Sequence, residues 1–210
     1  MEIGALHNPL RVPRQARVSY VDRMSTAALR EHYPELAGQD LVTVDIIDNG
    51  ENLATLAPAS QDFVIANHFL EHCQDPIGSL GNMLRVVRPG GTIYMAVPDK
   101  RFTFDVDREV TSLDHLLADH ERGPAATRRQ HFAEWVRFVS RLEGPAAEAE
   151  LDRLSVMDYS IHYHVWDFPA FLGFLTAVRE RLGFEIELTM RNGQEILNVL
   201  RKPASRPDPA

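Results

Sequence analysis

The sequence predicts an α/β protein. The expected form is a three-layer sandwich on a mostly parallel, seven-stranded-type sheet whose last strand is antiparallel. The first strand is expected to be truncated, and a helical insertion interrupts the core. Three observations carry this expectation. Short β-branched segments alternate with amphipathic ones through the first half of the chain, the pattern of strand–helix–strand units. A Pro89-Gly90-Gly91 turn leads into a further apolar segment. The alternation breaks across residues 100–165 and resumes with one helix and two strand candidates.

Taken in order, Met1, Glu2 and Ile3 are all that remain for a central first strand, so the true start is expected upstream or the protein is shortened. Arg17–Asp22, Leu41–Ile47, Asp62–Ala66 and Thr92–Val97 are apolar enough for buried strands. A helix is expected over Ser25–Leu36, with Ser25 as its N-cap. Asp75 caps a second helix with Pro76 at its first position; Ile77, Leu80, Leu84 and Val87 then recur at helical spacing. Phe168–Leu182 forms a third helix that Gly183 stops, followed by strands over Phe184–Met190 and Glu195–Leu200. The expected organisation is an α/β core over 1–99 and a helical cap over 100–165. Residues 166–201 complete the core, and 202–210, with three prolines, form a disordered tail.

Composition narrows the function. The chain has 210 residues, 44% hydrophobic, with a formal net charge of −8. An acidic surface repels phosphate backbones, which argues against nucleic acid as a partner. The single cysteine, Cys73, excludes an intrachain disulfide and fits a reducing compartment. No apolar run approaches the roughly 20 residues that span a bilayer, and no signal-peptide pattern opens the chain. Cytoplasm is the expected location, with no membrane or nucleic-acid partner; a homodimer stays open.

Two motifs carry chemistry. Gly4 follows the first strand, and Asp22 ends the second, 20 residues after Glu2. In dinucleotide-type folds such a glycine lets a ligand approach the backbone, and an acid at that spacing takes ribose hydroxyls. An acid after a strand also serves as a helix cap. The second motif runs Asp62-Phe-Val-Ile-Ala-Asn67-His68-Phe-Leu-Glu71-His72, then Asp75-Pro76, then Leu84-Arg85-Val-Val-Arg88-Pro89-Gly90-Gly91, and closes at Pro98-Asp99.

Together these residues resemble the class I, Rossmann-like S-adenosylmethionine-dependent methyltransferases, in particular the small-molecule type 11-like group. The resemblance covers Met1 to Asp99 and resumes in the C-terminal helix and strands. It implies S-adenosylmethionine as cofactor. Glu2, Gly4 and the adjacent Ala5 would hold its methionine part, Asp22 its ribose, and Arg23 and Met24 its adenine. Asp48, Asn49 and Gly50 would lie near the adenine amino group, with Asn67 and His68 facing the transferable methyl. The chain departs from the family at Leu6 and Asn8, where the loop carries glycines. Asn8 is expected to adopt the left-handed backbone and Leu6 is not. Pro9 and Pro13 leave no room for a long helix between the first two strands.

The sulfonium is already a good leaving group, so such an enzyme mainly positions the nucleophile and methyl in line. A hydroxyl acceptor adds the need for a base, and histidine titrates in the right range. His68, His115, His131 and His164 are the candidates; each has a structural alternative, and His72 reads as structural. His162 and His164 with Asp167, His115 or His131 carry metal-binding residue types, but in a looser pattern than zinc clusters show, and none is assigned to a metal. Arg122, Arg128, Arg129, Arg137 and Arg141 form a solvated helix face or, if they converge, an anion site. Trp135, Trp166, Tyr159 and Tyr163 are core or an aromatic floor for an acceptor. The rival functions are a degenerate, non-catalytic domain of the same fold used for binding or dimerisation, and a nicotinamide-dependent oxidoreductase.

Overall fold

In the computed structural model, which describes residues 1–36 and 38–204, seven strands form one sheet in the order β3-β2-β1-β4-β5-β7-β6. They are β1 (Glu2–Ile3), β2 (Tyr20–Asp22), β3 (Ile46–Ile47), β4 (Gln61–Asn67), β5 (Val87–Pro98), β6 (Glu185–Asn192) and β7 (Glu195–Arg201). β1 to β5 run parallel, and β7 lies antiparallel between β5 and β6. Two residues suffice for β1 because both sides are paired: Glu2 registers with Tyr20 on β2 and with Ile65 on β4. The strand order reverses there, the switch point where open α/β sheets bind ligands.

Helices α1 (Thr26–His32), α2 (Pro76–Val86) and α6 (Phe168–Leu182) belong to the core; α3 (Leu113–Arg122), α4 (Arg128–Trp135) and α5 (Gly144–Val156) lie in the insertion. The β2-to-β3 and β4-to-β5 crossovers run in opposite directions along the sheet, so the right-handed rule puts α1 and α2 on opposite faces. The Asp75 carboxylate accepts the Gly78 N–H at 2.9 Å, and Gly183 ends α6 in the left-handed conformation. The Pro-Gly-Gly turn also demands its glycines: a Cβ on Gly91 would lie 2.6 Å from the Asp62 carbonyl oxygen.

Three segments differ from expectation. The predicted helix over 25–36 breaks at Tyr33, because Pro34 cannot donate to the helix ladder; Pro34–Leu36 is a separate 3₁₀ turn. Only Tyr20–Asp22 and Ile46–Ile47 of the predicted second and third strands pair in the sheet, because β1 offers no ladder further back. Further back the N–H groups go elsewhere, Val42 donating to the Leu6 carbonyl and Val44 to the Thr26 hydroxyl, while the Asp45 N–H still reaches the Tyr20 carbonyl of β2. Lys202, expected in the disordered tail, is held by the turn: its N–H donates to Gly91 O, and its ammonium to the Leu84 and Val87 carbonyls at 2.8 Å. The rest of that tail, 205–210, lies outside the described residues.

The main core packs one face of the sheet, through Val64, Ala66, Ile93, Met95, Ile196 and Leu200, against α2, α6 and Trp166. The insertion has a core of its own, with Phe132, Val136, Leu151, Leu154, Ile161 and Tyr163 buried together. Its two ends meet: Asp99 bridges Trp166 in parallel, and the Lys100 N–H donates to the Trp166 carbonyl at 2.8 Å. Among the described residues, no helix is long and apolar enough to cross a membrane.

Candidate active site

A cavity of about 600 Å³ opens at the carboxyl ends of β1, β2 and β4, within the range of roughly 300–1,000 Å³ typical of ligand pockets. One wall is core: Gly4, Leu6, Asp22, Arg23, Asn49 and Gly50, with His68, Phe69 and His72 below β4. The facing wall comes from the end of the insertion, Asp158, Tyr159, Ser160 and Tyr163.

Gly4 has φ +63°, and nothing lies within 4 Å of where its Cβ would stand, so the backbone there is open to a ligand. Leu6 adopts φ +48°. This corrects the expectation that Leu6 avoids the left-handed region and Asn8 takes it; Asn8 does not have a positive φ. The strain, about 1 kcal/mol or more for an L-residue, is held by closure of the loop. The buried Glu2 carboxylate accepts the Leu10 N–H, at 2.9 Å to Oε1, and Val42 donates to the Leu6 carbonyl. Burial raises the Glu2 carboxyl above its usual range.

Asp22 Oδ1 accepts the Arg23 N–H at 2.7 Å, and burial raises this carboxyl too. The Arg23 guanidinium donates to the Tyr33 hydroxyl at 3.1 Å and to the Asp158 carboxylate at 3.3 Å, spanning the cavity mouth from core to insertion. Asn49, Gly50, Asp22, Arg23, Gly4 and His68 therefore share one cavity. Glu2, Ala5, Met24, Asp48 and Asn67 are not among its lining residues. Asp48 Oδ2 instead accepts from the Thr55 N–H at 2.8 Å and from its hydroxyl at 2.7 Å, and these bonds hold its carboxyl low although burial works the other way.

Below β4 the charges are arranged by burial. Glu71 is fully buried, and neither carboxylate oxygen has a hydrogen-bond partner. His68, at φ +47°, places Nδ1 3.4 Å from Glu71 and Nε2 2.7 Å from Glu195. The Glu71 contact, with Glu195 adding, pushes the His68 imidazole up to about 9 against the effect of burial, so it is a cation at neutral pH. His72 is the reverse. Burial pushes it down to about 4, and its Nδ1–H donates to the Ile161 carbonyl at 2.9 Å. A carbonyl only accepts, so Nδ1 carries the proton and Nε2 keeps a lone pair. His162 completes the group: Glu71, His72 and His162 bring one carboxylate oxygen and two ring nitrogens within 4.8 Å of one another. Its Nδ1 lies 2.6 Å from Asp105, which the buried Arg108 also holds at 2.8 Å.

The other sequence-derived candidates lie elsewhere. His115, His131 and His164 form a separate cluster and do not line the cavity. The arginines do not converge: Arg128 pairs with Asp158, Arg129 with Glu148 and Asp152, and Arg141 with Asp107. Trp166 is core, while Tyr159 and Tyr163 reach the cavity. Sequence reasoning missed Glu71, Asp105 and Arg108, and took His72 for a packing residue. An acid and two histidines within five positions, Glu71, His68 and His72, are the signal that was available.

The sheet order, its antiparallel β7 and a cavity at the switch point define a Rossmann-like methyltransferase fold. Residues 4–95, a little under half of the chain, match the family model described as a methyltransferase domain. Solved structures agree at the level of fold. The CurJ carbon methyltransferase is 13% identical over 97% of this chain and 48% of its own, with a TM-score of 0.51. A Rhodobacter sphaeroides protein, provisionally described as a zinc-dependent alcohol dehydrogenase, is 17% identical over 91% of this chain and 77% of its own, with a TM-score of 0.50. No curated protein matches the sequence.

The family's cofactor is S-adenosylmethionine, and the cavity fits it. The open glycine at Gly4 offers close approach to the backbone, and the half-buried Asp22 carboxylate stands in the wall where hydroxyls would donate.

Proposed function

We propose that this chain transfers a methyl group to an oxygen, nitrogen or carbon atom of a small molecule held between the β4 end and the insertion. The supporting observation is the two-sided cavity: core residues Gly4, Asp22 and Asn49 face insertion residues Tyr159, Ser160 and Tyr163. Bound S-adenosylmethionine would supply a sulfonium methyl that needs little activation. Gly4 would pass the methionine part, Asp22 would accept the ribose hydroxyls, and Asn49 and Gly50 would border the adenine. Glu2 acts one step back by holding the loop through Leu10.

His68 and His72 divide the acid–base work. His68 is charged at neutral pH and cannot accept a proton there. It holds Glu71 and Glu195 in place and presents positive charge to the acceptor. For a hydroxyl acceptor, the base role falls to His72, which is neutral and keeps Nε2 bare. The insertion excludes water from the methyl's path.

Calorimetry tests this. S-adenosylhomocysteine should bind with one site per chain and NAD should not, and acceptor screening should release S-adenosylhomocysteine. Binding of NAD alone would favour an oxidoreductase. Binding of S-adenosylhomocysteine without turnover on any screened acceptor class would favour a non-catalytic domain.

A further inference from the structure

Outside the cavity, four side chains from three parts of the insertion meet at one point. His115 and Asp119 stand one turn apart on α3, His131 comes from α4, and His164 from the extended segment that returns to the sheet. Each offers one ligand atom, and all four atoms lie within 4.8 Å of one another. His164 and Asp119 are buried to 1% exposure or less, and His131 is 5% exposed.

We propose that His115, Asp119, His131 and His164 form a tetrahedral zinc site that locks the insertion together. Tetrahedral zinc with ligands at about 2.0–2.1 Å sets the donor atoms roughly 3.4 Å apart. Here His115 Nε2 is 3.1 Å from both His131 Nε2 and Asp119 Oδ2. Asp119 Oδ2 is 3.7 Å from His131 Nε2 and 3.9 Å from His164 Nε2. The rings are arranged as ligation requires. Three imidazoles bound through Nε2 to one tetrahedral ion have centroids about 5 Å apart; these stand at 5.0, 5.8 and 4.9 Å, steeply inclined to one another.

Hydrogen bonding within the protein accounts for only part of the cluster, the contact between His115 and His131. The Thr127 hydroxyl donates to Asp119 Oδ1 at 2.7 Å, which orients the carboxylate and leaves Oδ2 buried without a partner. His164 Nε2 also lies 3.3 Å from the Gln74 carbonyl, its one protein alternative. As ligands, three imidazoles and one carboxylate would carry a charge of −1 that a divalent cation offsets. Three nitrogens and one oxygen suit zinc, whereas calcium and magnesium want oxygen throughout. Four protein ligands leave no open position, which marks a structural site. The ion would join α3, α4 and the return segment at one centre.

The test uses the full chain, stripped with chelator and titrated with zinc and, separately, cobalt(II). One equivalent of zinc should bind and raise the melting temperature, and cobalt should give the visible spectrum of a tetrahedral site. Asp119→Asn, nearly isosteric and expected to fold, and His131→Ala, checked by circular dichroism, should each weaken zinc by at least roughly tenfold and abolish the cobalt spectrum. His162→Ala, in the separate Glu71 group, should keep both signals. The inference is overturned if the wild type shows neither signal, if Asp119→Asn retains both, or if only His162→Ala loses them. Because no cofactor or acceptor enters the measurement, its outcome is separable from the methyl-transfer reading.

Discussion

Asp22 accepts one backbone hydrogen bond and turns the rest of its carboxylate to the cavity, so its removal should cost the ligand and spare the sheet. Asp22→Ala should weaken S-adenosylhomocysteine by roughly 1–3 kcal/mol through lost charge-assisted bonds, read by calorimetry; unchanged affinity would make Asp22 only a cap. The two histidines below β4 predict opposite pH limbs. His72 titrates near 4 when folded and near its ordinary 6.5 when unfolded. The unfolded chain thus takes up more protons between these values. The stability tied to neutral His72 is whole above pH 6.5 and is lost as pH falls towards 4, by roughly 3 kcal/mol. His68 runs the other way, contributing fully below pH 6.5 and losing its share as pH rises through about 9. Its side chain is half-exposed, so added salt should shrink this share. Melting temperatures from pH 4 to 9.5 check both: His72→Gln should flatten the acid limb and His68→Gln the alkaline one. Curves parallel to wild type would remove both assignments.

At the level of elements, α2 starts where several parts converge. Asp75 caps it through Gly78 and also meets His120 Nδ1 of α3 at 2.9 Å. Asp75→Ala should therefore cost about 1–2 kcal/mol and lower the melting temperature by about 2–8 °C for a chain of this size. A smaller drop in calorimetric scans would mean that the Glu51 carboxylate, which also accepts the Asp75 N–H, holds the turn alone. Elements were legible from sequence where local chemistry decides them. Asp75-Pro76 starts a helix, Gly183 stops one, and Pro-Gly-Gly, expected as a turn before the strand, forms an irregularity inside β5. They were not legible where distant partners decide. Val42 and Val44 stand in a segment of strand composition, yet their N–H groups are taken by Leu6 and Thr26. The cavity followed the same division. Gly4 and Asp22 announce themselves by spacing, whereas the state of His68 depends on the buried Glu71 and, in addition, on Glu195, 127 positions away.

For the whole molecule, a ligand that binds only the folded state raises its stability by mass action, about 2.7 kcal/mol at one hundred times Kd. S-adenosylhomocysteine at that excess should lift the melting temperature by about 5–11 °C, and NAD should leave it unmoved; equal shifts from both would point to non-specific stabilisation. The sheet completes itself around a gap: the chain departs at Asp99, returns at Trp166, and the two residues bridge each other. Seen from the sheet, everything in between is a cassette plugged into a fixed port. Loop closure grows so slowly with length, about 0.6 kcal/mol per doubling, that the port tolerates cassettes of very different size. On the function proposed above, a lineage built on this frame would be able to exchange its acceptor-recognition apparatus wholesale while the half proposed to grip the methyl donor is inherited unchanged.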